Sequence, residues 1–150
     1  MTDDFRYYLR VRYGECDAQK VVFNARYGDY VDLAATEFLR AIGVIQLGGG
    51  NDFGYQVVKY TIEWKAPARF HQVLELSVRT SHVGNTSFTL DVAFRLAGED
   101  KVIARAELVA VSVDPHTLEK RAITPEQRQL LTRGAPGVRV DHAGYLTPSA

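Results

Sequence analysis

Five segments of the chain alternate between apolar and polar residues, a period of two that is typical of half-buried strands. The predicted strands cover residues 6–13, 58–65, 74–79, 88–96 and 102–114. Only short turns separate the last three segments, so we expect an antiparallel meander there. Within the last segment the apolar positions change sides near Leu108, which predicts a β-bulge at that point.

Between Asn24 and Gly43 the apolar residues recur every three or four positions instead. This period predicts an amphipathic helix of about four turns with one buried side. The apolar positions are Tyr27, Tyr30, Val31, Ala34, Ala35, Phe38 and Ile42. Asn24 is the predicted N-cap and Gly43 the predicted C-terminal stop. A second, short helix is expected from Thr124 to Leu131, because a threonine followed by a proline is typical of a helix start.

These elements predict a single α+β domain that covers residues 1–150. Only one helix is long enough to cover the buried face of a five-stranded antiparallel sheet, so we expect the sheet to wrap around it. An uncovered strand at the edge of such a sheet favours association with a second chain. Residues 48–52 are expected to form a flexible loop, and no Gly-Lys-Ser/Thr sequence of a phosphate-binding loop follows them. The tails, residues 1–5 and about 134–150, are expected to be loosely ordered.

The charges of the chain balance, with 18 Lys and Arg against 18 Asp and Glu. This balance argues against nucleic acid or an anionic membrane surface as the main partner. The single cysteine excludes an internal disulfide and favours a reducing compartment. The first residues lack the pattern of a secretory signal, and no apolar run approaches the ~20 residues of a membrane helix. We therefore expect a cytoplasmic protein.

The loop before the long helix carries the residues best suited to chemistry. Asp17 lies in the polar, non-periodic residues 14–20, shortly before the helix begins. Free backbone amides at a helix N-terminus carry partial positive charge and can hold a developing oxyanion. A carboxylate beside them can activate water or attack a carbonyl, so the two together suit the hydrolysis of a thioester. The alternative is that Asp17 is a solvated loop or turn residue.

The other reactive side chains give weaker indications of function. Cys16 has no histidine nearby in sequence to act as its base, so we interpret it as a small buried residue. The four histidines show no paired spacing that would chelate zinc, and we predict no metal site. Glu37 lies on the flank of the predicted helix, where a solvated position is expected.

Residues 12–17 (Arg-Tyr-Gly-Glu-Cys-Asp) and 21–27 (Val-Val-Phe-Asn-Ala-Arg-Tyr) resemble the signature of the 4-hydroxybenzoyl-CoA thioesterase family of hotdog-fold acyl-CoA thioesterases. The resemblance implies a hotdog fold, in which a sheet wraps around one long helix, and hydrolysis of an acyl-CoA to a carboxylic acid and free CoA. It assigns Asp17 as nucleophile or general base, and the backbone amide of Asn24 as the donor that polarises the thioester carbonyl. No metal or redox cofactor is implied.

The same resemblance implies further binding residues and a partner chain. Val22 and Phe23 fall within the signature and are assigned to substrate binding. Tyr27 is assigned to packing or to shaping the site, and Arg121 to the region of the CoA phosphates. Sites of this family lie at the junction of two subunits, so we expect a homodimer or homotetramer.

Lys20 departs from the family, many members of which have glycine at this position. The departure allows the loop a different path. If Lys20 approaches Asp17, its positive charge would favour the ionised carboxylate.

Two other functions stay open at this point. A hotdog hydratase or dehydratase would add water across an enoyl thioester, but that chemistry commonly uses a histidine with an aspartate, and the loop has no histidine. A non-catalytic acyl-thioester binding module would bind CoA esters without releasing a thiol.

Overall fold

The computed structural model describes residues 3–45 and 53–146, which form six strands, two α-helices and a short 3-10 turn at Tyr13–Glu15. In chain order the elements are β1 (Phe5–Arg10), α1 (Arg26–Ile42), β2 (Gly54–Trp64), β3 (Val73–Val83), β4 (Ser87–Leu96), β5 (Val102–Val113), α2 (Pro125–Arg133) and β6 (Arg139–Asp141). The strands form one sheet in the order β2-β5-β4-β3-β1-β6. Neighbouring strands are antiparallel except β1 and β6, which are parallel. The predicted loop at 48–52 lies outside the described residues, and no helix within them is long and apolar enough to cross a membrane.

The architecture is α+β, as predicted, but the sheet has six strands rather than five. The buried residues of α1 are the predicted apolar positions together with Leu39. Rings on this helix contact distant parts of the sheet: the Phe38 ring lies 5.6 Å from that of Phe5 in β1, and the Tyr27 ring lies 6.0 Å from that of Trp64 in β2. One helix therefore reaches across the buried face of the sheet. The predicted meander of β3, β4 and β5 is confirmed.

The two ends of α1 are built differently. Gly43 has φ 95° and ψ 4°, and its amide donates to the carbonyls of Arg40 and Leu39, so the predicted stop is confirmed. The predicted N-cap at Asn24 is wrong: the cap position is Ala25, whose φ of −65° and ψ of −21° are already helical. The chain enters the helix from a turn rather than from an extended residue, so the first amides receive no side-chain cap.

The predicted bulge near Leu108 is also wrong in its position. β5 pairs with β4 in unbroken register from Ala104 to Val111. The buried alternate residues of this stretch are Ala104, Ala106, Leu108 and Ala110. Irregularities lie instead in the neighbouring strand β2, between Val57 and Lys59, and nearer the start of β5, where the pairing with β4 skips Ile103. Val109 and Val111 lie on the outer face but are half-buried, so their apolar side chains mimic a change of the buried face.

The C-terminal tail, expected to be loose, is docked on the sheet. Residues 139–141 pair with β1 as β6. A hydrogen bond of 2.8 Å joins the Tyr7 hydroxyl and Nδ1 of His142, and the two rings meet edge to face at 5.0 Å. At the other end of the chain, Phe5 already belongs to β1 and is buried. A strand of three residues is too short to show a period in the sequence, so its pairing was not predicted.

Replacing His142 tests this docking. We expect His142→Ala to lower the free energy of unfolding by about 1 kcal/mol, because the buried Tyr7 hydroxyl loses its partner. Urea denaturation measures the change. His116→Ala in an exposed turn is the matched control and should stay within about 0.5 kcal/mol of the parent. Equal stability of the two variants would contradict the docking.

Candidate active site

The segment that carries Asp17 is a tight turn held on both sides. The Asp17 amide donates to the Val21 carbonyl at 2.9 Å, and the Lys20 amide donates to the Asp17 carbonyl at 2.9 Å. Cys16 and Val22 pair across the base of the turn. The segment after β2 supports it, because the Val22 amide donates to the Ala68 carbonyl at 2.9 Å. The backbone that carries Asp17 is therefore fixed by neighbours outside the turn.

The Asp17 carboxylate is exposed to solvent. Its Oδ1 accepts a hydrogen bond of 2.8 Å from the Gln19 amide. Within residues 3–45 and 53–146 its other oxygen has no hydrogen-bond partner, and the carboxylate forms no ion pair with Lys20. One carboxylate oxygen is thus left for an outside group such as water or a substrate carbonyl.

Two consecutive backbone amides at the start of α1 have no acceptor in the described part of the chain. The Arg26 amide donates to the Phe23 carbonyl at 2.8 Å, and the Tyr27 amide donates to the Asn24 carbonyl at 3.3 Å. The amides of Asn24 and Ala25 make no such bond. Unused amides at a helix N-terminus attract negative charge. The resemblance pointed to the Asn24 amide, whereas the Ala25 amide was missed because the entry turn was not foreseen.

The two residues that carry these amides border a cleft of about 590 Å³ between the first turns of α1 and the strand β2. Its lining residues are Asn24, Ala25, Gly28, Asp29, Asp32, Val57, Tyr60, Ile62 and Trp64. Burial, and then repulsion from Asp29, raise the pKa of Asp32. Asp17 is not among the lining residues, so one chain brings the amides to the cleft but leaves the carboxylate outside it.

None of the other predicted site residues lines the cleft. Val22 and Tyr27 are buried in the core, with exposed fractions of 3% and 1%, so in this chain both serve packing. Phe23 is 55% exposed. The Arg121 side chain forms a 3.6 Å ion pair with Asp114, and its amide donates to the carbonyl of Ser112.

Arg121 and the start of α1 lie at opposite ends of β2. Ser112, which binds the Arg121 amide, pairs with Tyr55 near the start of β2. Trp64, which lines the cleft with Asn24, ends that strand. Nine residue steps along a strand span about 30 Å. A single chain therefore does not bring Arg121 to the amides.

The thiol beside Asp17 is poorly suited to nucleophilic attack. Burial and the neighbouring carboxylates of Glu15 and Asp17 raise the pKa of Cys16, so the thiol stays protonated at neutral pH. This supports its interpretation as a small packing residue. Within the described ranges, no group of three or more His, Cys, Asp and Glu side chains could hold a metal ion.

Glu15 is a site-adjacent residue that no sequence pattern singled out. It is only 8% exposed, one of three buried polar or charged residues in the part of the chain that the structure describes. Burial raises the pKa of this carboxyl, but hydrogen bonds from Arg12 and Tyr30 outweigh that effect, so its pKa lies below the ordinary value. Glu15 is therefore ionised at neutral pH. Its importance depends on a contact with α1 that only the folded chain forms.

Residues 11–131 of the chain match the thioesterase-like superfamily. The chain belongs to this superfamily. It is 32% identical over 120 residues to the acyl-CoA thioester hydrolase YbgC of Escherichia coli O6:H1 strain CFT073, covering 79% of this chain and 89% of that protein. It is 25% identical over 123 residues to the long-chain acyl-CoA thioesterase FadM of Escherichia coli K12, covering 82% and 93%. The solved structure of PA5185 from Pseudomonas aeruginosa PAO1 superimposes with a TM-score of 0.79 at 26% identity, covering 89% of this chain and 92% of that one.

Membership in the superfamily identifies the chain as a thioester hydrolase. The likeness to solved structures also supports the expected hotdog architecture. The sequence resemblance is thus confirmed at the level of the superfamily. The narrower 4-hydroxybenzoyl-CoA thioesterase family stays a prediction.

Lys20 offers a test of the loop conformation. Its φ is +63°, in the left-handed region that glycine adopts without strain, so the lysine requires no different path of the loop. A residue with a Cβ atom costs roughly 1–2 kcal/mol there. A glycine at this position would avoid that cost, but it would also make the unfolded chain more flexible, which offsets part of the gain in stability. We expect Lys20→Gly to raise the free energy of unfolding by about 0.5 kcal/mol.

Chemical denaturation measures this effect. Lys20→Ala removes the same charge but keeps the Cβ atom, so it is the matched control and should bring no gain. A loss of stability in Lys20→Gly would contradict the left-handed conformation.

Proposed function

We propose that this thioester hydrolase acts on an acyl-CoA, releasing a carboxylic acid and free CoA, with Asp17 as its catalytic carboxylate. The observation that supports this most directly is that Asn24 and Ala25, whose amides are unused, both line the cleft. The relatives named above act on acyl-CoA substrates, which supports the same choice of leaving group. No cofactor is proposed, because the carboxylate, the amides and water supply every atom the reaction needs.

The proposed reaction begins with the thioester carbonyl oxygen directed at the two amides. As the carbonyl carbon becomes tetrahedral, negative charge grows on that oxygen, and the amides of Asn24 and Ala25 stabilise it. Asp17 either takes a proton from the attacking water or attacks the carbon itself and forms an anhydride that water then opens. In both routes the C–S bond breaks, CoA leaves as the thiolate, and a water oxygen ends in the carboxylic acid.

We propose that a second copy of the chain completes the site along β2. The two sheet edges differ: β6 has three residues, whereas β2 has eleven. Apolar side chains of β2 are unusually exposed for a strand, with values of 43% for Val57, 62% for Val58 and 47% for Trp64. A long edge strand with exposed apolar residues favours pairing with another chain. A homodimer across β2 would cover them.

Such a dimer also accounts for the separation of the predicted site residues. If two β2 strands pair antiparallel about a twofold axis, the Arg121 end of one copy lies beside the Asn24 end of the other. Arg121 could then reach the CoA phosphates of a substrate whose carbonyl lies at the neighbouring helix start. The cleft, open in one chain, would become a pocket between two. The homotetramer stays a prediction.

The role of Asp17 is tested by Asp17→Asn. Asparagine keeps the size of the side chain and the acceptor for the Gln19 amide, but it can neither attack nor take a proton at neutral pH. We expect kcat to fall at least about 100-fold, and the free energy of unfolding to change by less than about 0.5 kcal/mol. Thiol release over a panel of short, long and aromatic acyl-CoAs measures the rate.

Asp100→Asn, in an exposed turn, is the control for the loss of one surface carboxylate and should keep the parental rate. Parental turnover in Asp17→Asn would overturn the proposed mechanism.

The dimer is tested by Val57→Glu. The new carboxylate would lie in the cleft with Asp29 and Asp32, so a chain-to-chain contact there would bury three like charges. We expect the dimer dissociation constant to rise at least about tenfold and the turnover per chain to fall in parallel. Sedimentation velocity measures the dissociation constant, and thiol release measures the turnover.

Thr89→Glu, on the outer face of the central strand β4, is the matched control and should leave both values unchanged. A monomeric parent with full activity would rule the two-chain site out.

A further inference from the structure

One buried carboxylate, that of Glu15, joins the end of β1 to the long helix. Its Oε1 accepts the Arg12 amide at 2.8 Å and the Tyr30 hydroxyl at 2.7 Å. Its Oε2 accepts Nε and Nη2 of Arg12 at 3.0 and 2.7 Å. All these donors converge on one side chain that lies two residues before Asp17.

The backbone of Glu15 also closes the base of the Asp17 turn. Its carbonyl accepts the Phe23 amide at 2.9 Å, and its own amide donates to the Arg12 carbonyl at 3.0 Å. Phe23 in turn accepts the Arg26 amide, the first amide of α1. Glu15 is thus bonded to both ends of the segment that runs from the end of β1 to the helix start.

Tyr30 supplies a rigid anchor for this carboxylate. It lies on the second turn of α1, is 1% exposed, and its ring is in tilted contact with that of Tyr27 at 6.1 Å. Burial and the Glu15 carboxylate raise the pKa of Tyr30, so its hydroxyl remains a donor throughout the physiological range. The carboxylate is therefore held from the helix side as well as from the loop side.

We propose that Glu15 is a positioning residue for catalysis: by bonding Tyr30 and Arg12 together, it fixes the Asp17 turn relative to the unused amides at the start of α1. The inference rests on the proposed function of Asp17. Glu15 is not itself the catalytic carboxylate, because both its oxygens are occupied and it is buried.

Catalysis is sensitive to such positioning. A displacement of about 1 Å between a reacting group and its substrate can lower the rate about 100-fold. The Asp17 turn is fixed by hydrogen bonds to the backbone of Val21 and, through Val22, to Ala68. Neither bond fixes the turn to the helix. The Glu15 carbonyl connects the turn to the helix start through Phe23, and the side-chain bond from Glu15 to Tyr30 adds a connection to the second turn of α1. Loss of this side-chain bond would affect kcat more than substrate affinity.

A second buried carboxylate, held by the same kinds of side chain as Glu15, provides a control. Glu75 on β3 is 5% exposed and accepts hydrogen bonds from the Tyr8 hydroxyl at 3.1 Å and from Arg6 at 3.0 Å. It is thus a second buried carboxylate held by one tyrosine and one arginine, but it lies in the middle of the sheet pairing rather than beside the Asp17 turn. Glu75→Gln and Tyr8→Phe therefore reproduce the loss of stability without disturbing the turn.

The decisive variant is Tyr30→Phe, which removes only the hydrogen bond from the helix to the Glu15 carboxylate. A second test variant is Glu15→Gln. We expect each to lower kcat at least about tenfold, with KM within twofold of the parent. The controls Tyr8→Phe and Glu75→Gln should keep kcat within twofold, although all four variants should melt at lower temperature than the parent. In the Asp17→Asn background, Tyr30→Phe should cause no further loss, because the residue that it positions is already inactive.

Each outcome distinguishes a positioning role of Glu15 in catalysis from a purely structural role. If Tyr30→Phe keeps the parental kcat while it loses stability like Tyr8→Phe, the link is structural only and the proposal is overturned. A tenfold loss that persists in the Asp17→Asn background also overturns it, because the effect would not pass through Asp17. Parental turnover in Asp17→Asn alone would instead defeat the proposed function, which is a distinct result.

Discussion

A helix that begins without a side-chain cap leaves backbone N–H groups that need an acceptor from elsewhere. In α1 the entry turn uses the amides of Arg26 and Tyr27 and leaves those of Asn24 and Ala25 without a partner in the described part of the chain. Both border the cleft. An uncapped start makes the helix less stable. It favours an anionic transition state, because the same amides can stabilise an oxyanion. The buried stripe of α1 fixes these amides, and the tight turn fixes the backbone of Asp17, the proposed catalytic carboxylate.

The two edges of the sheet differ, and the proposed site lies at the open one. At one edge the C-terminal residues cover β1, with β6 paired and the His142 ring against Tyr7. At the other edge β2 remains open, with Trp64 and Val57 exposed beside the helix start. The open edge and the unused amides therefore lie together. In the proposed dimer, one chain supplies half of the site and association through β2 supplies the other half.

The sequence predicted the features that depend on local periodicity. The buried stripe of α1, its stop at Gly43 and the meander follow from spacing alone. The errors concern features with no local signal: a cap at Asn24 that the entry turn excludes, a bulge near Leu108 inferred from half-buried valines on the outer face of β5, and a three-residue strand at the C-terminus. The Asp17 turn was found because charge, loop and helix start coincide in the sequence. The bond from Glu15 to Tyr30 spans fifteen positions and forms only in the folded chain.

The geometry of a bound substrate tests the central claim most directly. A crystal structure with an acyl-CoA analogue in which a methylene group replaces the sulfur would hold the carbonyl in place without hydrolysis. The account predicts that the carbonyl oxygen lies about 3 Å from the amide nitrogens of Asn24 and Ala25, with an Asp17 oxygen, or a water bound to it, about 3–3.5 Å from the carbonyl carbon. An acyl group bound elsewhere, with these amides facing solvent, would contradict it.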